Sequence, residues 1–382
     1  MIVTNFAYGT GPYLRSTELA IAFNDELEKA GQKRLGIVVP WVYGEQQKRV
    51  MWEEFSAHDQ VHPGEILLDR ELGSLLRSIF YADTTYERAL EKWVALCRSI
   101  SDKAHGHLSS QFAVETMTGE KQMVDGRDVK VELSRSPRIR YDVAPAYFSS
   151  FAYVAEILEQ AKHAGEIAVE SKLLERGVKI ADWVETEQRV RCMAYPATFA
   201  FLTPREPRYA DEMLVPPLVF PPKANTDNLQ QGIFVTITGI PGLERLYADA
   251  KRLGIRLYSN DPDQVPGSTK ALPHIIPNEK ILFQFARAGW SSIWISMMCG
   301  TPLVVPEYDS EDDPEIYFNN RSVEELQLGV IYQGQTIETI LKESTRIKES
   351  YERMKKEILD RWGTLDGNRY CATLFARDFL AQ

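Results

Sequence analysis

Six prolines, at 204, 207, 216, 217, 221 and 222, fall within residues 203–232. Proline fixes φ and removes a ladder donor, so this run reads as an extended connection rather than sheet interior. On either side of it the same pattern begins: a short apolar run, a glycine-containing loop, an amphipathic helix and a second apolar run. Such a succession is the opening of a parallel sheet. A chain of 382 residues also exceeds what one hydrophobic core ordinarily supports. The expected organisation is therefore two α/β domains, 1–222 and 223–382, with the last helix able to pack back on the first domain.

In the first half, residues 2–6 read as a strand, 8–12 as a loop, 14–30 as a helix and 35–39 as a buried strand. Leu19, Ala22, Phe23, Leu27 and Ala30 share one face of that helix. The loop holds Tyr8, Gly9, Thr10 and Gly11, a lone Gly-x-Gly that is weak as a cofactor signal. Residues 66–102 read as mostly helical. Polar–apolar alternation over 110–142, with turn signals at Gly119 and Asp125-Gly126, predicts one or two hairpins inserted into the α/β pattern. Residues 147–175 read as helical, and Trp183, 191–195 and 198–202 as a return through an apolar strand.

In the second half, 232–238 read as a strand, 239–242 as a tight loop, 243–253 as a helix and 255–258 as a strand. A helix is expected over 279–286, a last strand over 326–331, and helices over 336–360 and 366–380. Between these lies Arg287–Pro306, RAGWSSIWISMMCGTPLVVP. Ala288-Gly289 open it as a loop, Trp290–Cys299 form a short helix, Gly300 stops the helix and Leu303–Val305 make an apolar strand. Ser291 and Ser292 stand where a helix has unpaired N–H groups and the positive end of its dipole, which suits a phosphate. A serine-capped helix leading into a core strand reads the same way.

The formal net charge of −10 argues against a nucleic-acid binder, which needs a basic face. No apolar run reaches the length of a membrane span and no leader pattern opens the chain. The four cysteines, Cys97, Cys192, Cys299 and Cys371, have neither metal-site spacing nor disulfide-scaffold density, so buried free thiols and a cytoplasmic location are expected.

The line Arg287-Ala288-Gly289-Trp290-Ser291-Ser292 followed by Gly300-Thr301-Pro302 resembles the donor-binding segment of GT-B glycosyltransferases of the UDP-glycosyltransferase and MurG-like groups. Those enzymes carry a His-Cys-Gly-Trp-Asn-Ser loop, a helix and a Gly-x-Pro before an apolar strand. The motif-level resemblance covers about residues 270–320; elsewhere only element order is compatible. It implies two Rossmann-like domains facing a cleft and transfer of a sugar from a nucleotide-sugar to a small-molecule or glycan acceptor, with no cofactor or metal. It also implies that Gly289, Trp290, Ser291 and Ser292 bind the donor diphosphate, that Thr238 and Gly239 face it from the other side, and that His274 and Ile275 border the base. The acidic run after Pro306 would hold sugar hydroxyls, with Asp309 and Glu315 favoured.

This chain departs from that pattern. The histidine is replaced by Arg287, which can also grip a phosphate, and an acidic helix residue is replaced by Ile295. The Glu-x7-Glu pair of retaining enzymes is absent at its usual place, which favours inversion. An inverting transfer needs a general base. The first loop offers Tyr8 and Arg15 but no histidine, and arginine does not serve as a base. The candidates are Glu115 and Asp142 ahead of His62, His105 and His107. Trp41, Tyr43 and Trp52 suit an aromatic acceptor platform, or core packing. A sugar-nucleotide epimerase of GT-B shape and a non-catalytic sugar-nucleotide or glycan-binding protein stay open as alternatives.

Overall fold

The computed structural model describes residues 1–4, 10–78, 85–134, 138–140, 169–185, 190–195, 210–236, 242–309, 312 and 314–382. The chain divides into two compact units: residues 1–194, 206–218 and 367–382 form the first, and 195–205 and 219–366 the second.

The first unit runs β1 (Ile2–Thr4), α1 (Thr10–Lys29), β2 (Ile37–Pro40), α2 (Glu45–Val61), β3 (Ile66–Asp69), α3 (Arg70–Arg77) and α4 (Tyr86–Leu108). It continues through β4 (Gln111–Thr116), β5 (Lys121–Asp125), β6 (Val131–Ser134), β7 (Arg138–Arg140), α5 (Ser171–Glu185), β8 (Val190–Ala194) and β9 (Met213–Val215). The strands join in the order β5-β4-β3-β2-β1-β6-β7-β8-β9. Strands β3, β2, β1 and β6 are mutually parallel and every residue in them is buried, which is why they read as continuous apolar runs rather than alternating ones. The β4–β5 hairpin adds to one side antiparallel, and β7 to the other.

The second unit runs β10 (Gly232–Val235), α6 (Leu243–Leu253), β11 (Arg256–Ser259), β12 (Thr269–Lys270), β13 (Ile281–Phe285), α7 (Trp290–Cys299) and β14 (Leu303–Pro306). It closes with α8 (Pro314–Glu325), β15 (Gly329–Tyr332), α9 (Ile337–Lys342) and α10 (Ser344–Trp362). All its strands are parallel, in the order β12-β11-β10-β13-β14-β15. Alternate residues of β10 serve opposite faces: Ile233 and Val235 pack with Phe283, Phe285 and Leu246, and Phe234 with Tyr258, Ile275 and Ile281. Each such side chain, fully buried, contributes about 1.5–3 kcal/mol. The closing helix α11 (Gly367–Leu380) returns to the first unit and lies along α1, with Phe379 edge-on to Phe23 at 5.8 Å between ring centroids.

Several local expectations are corrected. Ile66–Leu68 belong to a strand, not a helix, and Ile281–Phe285 form β13, not a helix. Both runs are too short for periodicity to tell strand from helix. The helix expected from residue 14 starts at Thr10 and takes in Gly11 and Pro12; proline is tolerated in a first turn, where its missing N–H is not needed. The hairpins expected over 110–142 are the antiparallel pairs β4–β5 and β6–β7, but β6 (Val131–Ser134) also pairs in parallel with β1, so it belongs to the central sheet and not to an insertion. Trp183 lies in α5, with the Arg98 guanidinium 4.2 Å over its ring. The proline-rich connection contributes β9, whose parallel pairing to β8 ends just before Pro216. The readings over 147–168 and 198–202 lie outside the described residues.

Candidate functional site

In the second sheet the chain winds outward from β10 through β11 to β12, then from β13 through β14 to β15. The winding direction therefore reverses between β10 and β13. In open α/β sheets, ligands bind at the carboxyl ends of the two strands flanking such a reversal. The loop after β10, with Thr238 and Gly239, lies outside the described residues. The loop after β13 is Ala286–Gly289, and the Ala286 N–H still donates to the Val304 carbonyl at 3.0 Å. The strand read as a helix from sequence is thus the one that delivers the resembling segment to this point.

Gly289 is the N-cap of α7, in extended conformation and without a side-chain cap. Neither serine caps the helix, so the alternative of a serine-capped start is not what the chain adopts. The first intrahelical bond runs from Ile293 N–H to the Gly289 carbonyl at 3.1 Å, so the N–H groups of Trp290, Ser291 and Ser292 precede the ladder. The hydroxyls of Ser291 and Ser292 bond to nothing among the described residues, and both side chains are half-buried. Among the described residues no atom other than its chain neighbours and its own helix backbone lies within 4 Å of where a Gly289 Cβ would stand. At its far end the helix stops at Gly300, whose φ of 71° is the left-handed conformation a C-cap requires. This arrangement presents backbone donors and the positive helix end to an anion.

Beside it, an Arg287 Nη2 lies 3.1 Å from an Asp312 carboxylate oxygen; Arg287 is exposed and Asp312 largely covered. Asp309 is exposed on the loop after β14, and its carbonyl accepts from Asp312 N–H at 2.8 Å. Glu315 is 8% exposed, in the first turn of α8, and accepts from the Asn319 side chain at 3.3 Å. His274 is exposed, 3.7 Å from Asp227. Ile275 is core: it is 2% exposed and packs on Phe234 and Tyr258. The Cys299 thiol, near the end of α7, is pushed up to about 12 by burial, which makes it inert. Asp312 stands in the acidic run of the sequence, where nothing local distinguishes it from its acidic neighbours.

In the first unit the corresponding reversal falls between β1 and β6. Tyr8 and Gly9, in the loop after β1, lie outside the described residues. Thr10 and Gly11 open α1, and Arg15 pairs with Glu18 at 2.6 Å one turn on. Trp41, directly after β2, is 1% exposed and packs with Tyr13 and Tyr43 at ring distances of 5.2 and 5.5 Å. It is a core residue rather than a platform.

Glu115, on β4, is gripped by Lys48 and by Arg70, whose Nε lies 2.9 Å away. Burial alone would raise its pKa, but the hydrogen bonds from Lys48 and Arg70 outweigh burial and hold the carboxyl below the usual range. A base is most effective with a pKa near the operating pH, so this environment works against that role. Asp142 lies outside the described residues. His107, at the end of α4, donates from Nε2 to a buried Asp69 oxygen at 2.8 Å, while the other Asp69 oxygen accepts from Leu72 N–H at 2.9 Å. The sequence offered no sign of this pair, because the two residues are brought together only by the turn of the chain through α3 and α4.

No family model and no curated protein matches the chain. Solved structures do. A UDP-glucosyltransferase from Polygonum tinctorium capable of glucosylating indoxyl matches at 13% identity with a TM-score of 0.56, over 100% of this chain and 98% of that one. Phytolacca americana UGT2, complexed with UDP-2-fluoro-glucose and pterostilbene, matches at 9% identity and a TM-score of 0.55, over 100% and 99% of the two chains. TcCGT1 in complex with UDP matches at 10% identity and a TM-score of 0.59, with the same coverage. With two Rossmann-like units and these neighbours along its whole length, the chain has the GT-B fold of the UDP-glycosyltransferases.

Proposed function

We propose that this protein is a glycosyltransferase that moves a sugar from a nucleotide-sugar to a small-molecule or glycan acceptor, inverting the anomeric carbon and using no metal. The observation that carries this reading is the uncapped N-terminus of α7, with Arg287 beside it, at the winding reversal of the second sheet. As the acceptor oxygen attacks the anomeric carbon, the bond to the diphosphate oxygen breaks and negative charge grows there. Fixed donors aimed at that charge lower the barrier without reorganising. The N–H groups of Trp290, Ser291 and Ser292, the two serine hydroxyls and the Arg287 guanidinium are suited to this.

Thr238 and Gly239 would approach the same diphosphate from the end of β10, and His274 would border the base. Asp309 is the better of the two sugar-hydroxyl ligands, being exposed where Glu315 is buried. The acceptor proton goes to a general base. Of the two candidates, Glu115 is already engaged by two cations, which leaves Asp142 as the stronger. Uridine donors come first because four of the matching structures hold UDP, a UDP-sugar or a UDP-sugar analogue. Four free cysteines suit a reducing, cytoplasmic setting.

A thermal-shift series with UDP-, GDP-, dTDP- and CMP-sugars tests this reading. Stabilisation by one of them is expected; no shift with any would overturn the donor site. Binding without nucleotide release, across acceptors of several classes, would instead indicate a binding protein.

A further inference from the structure

The resembling enzymes have a histidine where this chain has Arg287, and the replacement brings a permanent positive charge to the end of the site. The structure pairs that charge. Asp312 comes from the neighbouring loop after β14 and reaches Arg287 Nη2 at 3.1 Å. Its backbone is held from both sides: its N–H donates to the Asp309 carbonyl at 2.8 Å, and its carbonyl accepts from the Tyr308 hydroxyl at 3.3 Å. Tyr308 in turn stands edge-on to Tyr317 of α8, with ring centroids 5.4 Å apart. The contact occupies one nitrogen of a guanidinium that has five donors, so Arg287 can face a phosphate while Asp312 offsets its charge.

That offset has a consequence for the order of affinities. At neutral pH the diphosphate of a nucleotide-sugar carries about two negative charges. The nucleoside diphosphate left after transfer carries nearly one more, because its terminal phosphate loses a second proton at a pKa of about 6. A bare arginine at this position attracts the product more than the donor, and the enzyme would stall on its product. We propose that Asp312 is a specificity-determining residue that sets discrimination between donor and product by neutralising Arg287. The proposal rests on the donor-site reading above. The covered position of Asp312 strengthens the effect, since less water screens it than would screen a free loop carboxylate.

The test is calorimetric titration of UDP and of UDP-glucose into the full chain and its variants. Asp312→Asn is expected to tighten both ligands, and UDP by about 3- to 6-fold more than UDP-glucose, as one extra charge at a few ångströms implies. Asp312→Glu should keep the wild-type ratio. Arg287→Gln, at an exposed position, should move the ratio the opposite way, and the double variant should return it towards wild type. At pH 5, where the terminal phosphate is largely singly charged, the extra gain for UDP in Asp312→Asn should disappear. A purely structural role for Asp312 moves both ligands equally and at every pH. If both ligands bind the wild type and Asp312→Asn leaves their ratio unchanged, the proposal is wrong and the donor site stands. If neither ligand binds the wild type, uridine recognition falls and the proposal with it, while the donor site itself stands or falls by the wider nucleotide-sugar series.

Discussion

Ser296 Oγ donates to Gln284 Oε1 at 2.8 Å, and both residues are buried, at 0% and 3% exposure. This bond ties α7, whose N-terminus forms the candidate anion site, to the central strand β13. Ser296→Ala leaves the Gln284 oxygen unpaired and should lower stability by roughly 1–3 kcal/mol. Replacing both partners, as Ser296→Ala with Gln284→Leu, should cost less than removing the serine alone. Urea denaturation of the three forms measures it; additive losses would show that the bond is not coupled.

His107 and Asp69 predict a pH dependence of stability. Burial lowers the His107 pKa, but the hydrogen bond and charge of Asp69 outweigh it and raise the value above the ordinary 6.5. The groups facing the ring are Asp69, Glu71 at 3.8 Å and Phe112, with ring centroids 4.7 Å apart. A raised folded pKa means the stabilisation is complete below the unfolded value and is lost as pH rises through the folded one. Denaturation midpoints should therefore fall over that window in the wild type, and His107→Gln should flatten the profile there.

Gly367 opens α11 with its Cα against the backbone of the proline-rich connection. A Cβ at this position would overlap the carbonyl oxygens of Pro216 and Pro217. Backbone cannot move aside as a side chain can, so Gly367→Ala should destabilise by about 1–3 kcal/mol. Calorimetric melting of this variant beside Gly363→Ala separates packing from backbone strain. Gly363 has open space but a φ of 69°, so its cost comes from conformation alone.

Glu115 is held ionised by Lys48 and Arg70. Its depressed pKa contributes stability that is present above the unfolded value of 4.5 and lost as pH falls through the folded one. Glu115→Gln should lower the melting temperature at neutral pH and leave UDP affinity unchanged. A large loss of turnover with unchanged stability would restore Glu115 as the base.

Much of the second unit was legible because its signals are local. The helix over Leu243–Leu253 and the helix over Trp290–Cys299 are found where the sequence places them, since a glycine ends each and the apolar spacing between is helical. The strand over Leu303–Pro306 is likewise an uninterrupted apolar run. The donor-site segment could be picked out for the same reason: loop, helix, Gly300 and strand are consecutive in the chain.

Residues 281–285 show where local reading ends. Five residues, ILFQF, satisfy a helix or a strand equally, and they become a strand because β10 and β14 flank them with open hydrogen-bonding edges. The same holds for Ile66–Asp69 between β2 and β4. From its sequence alone this protein is a two-part α/β chain with an anion-suited helix start in the second part, because those features depend on neighbours in the chain. Only the tertiary structure decided that the helix start stands at a winding reversal, that Asp312 pairs with Arg287 and that Glu115 is locked between two cations. Each depends on groups from separate loops or strands, whose meeting is set by sheet order and not by local propensity.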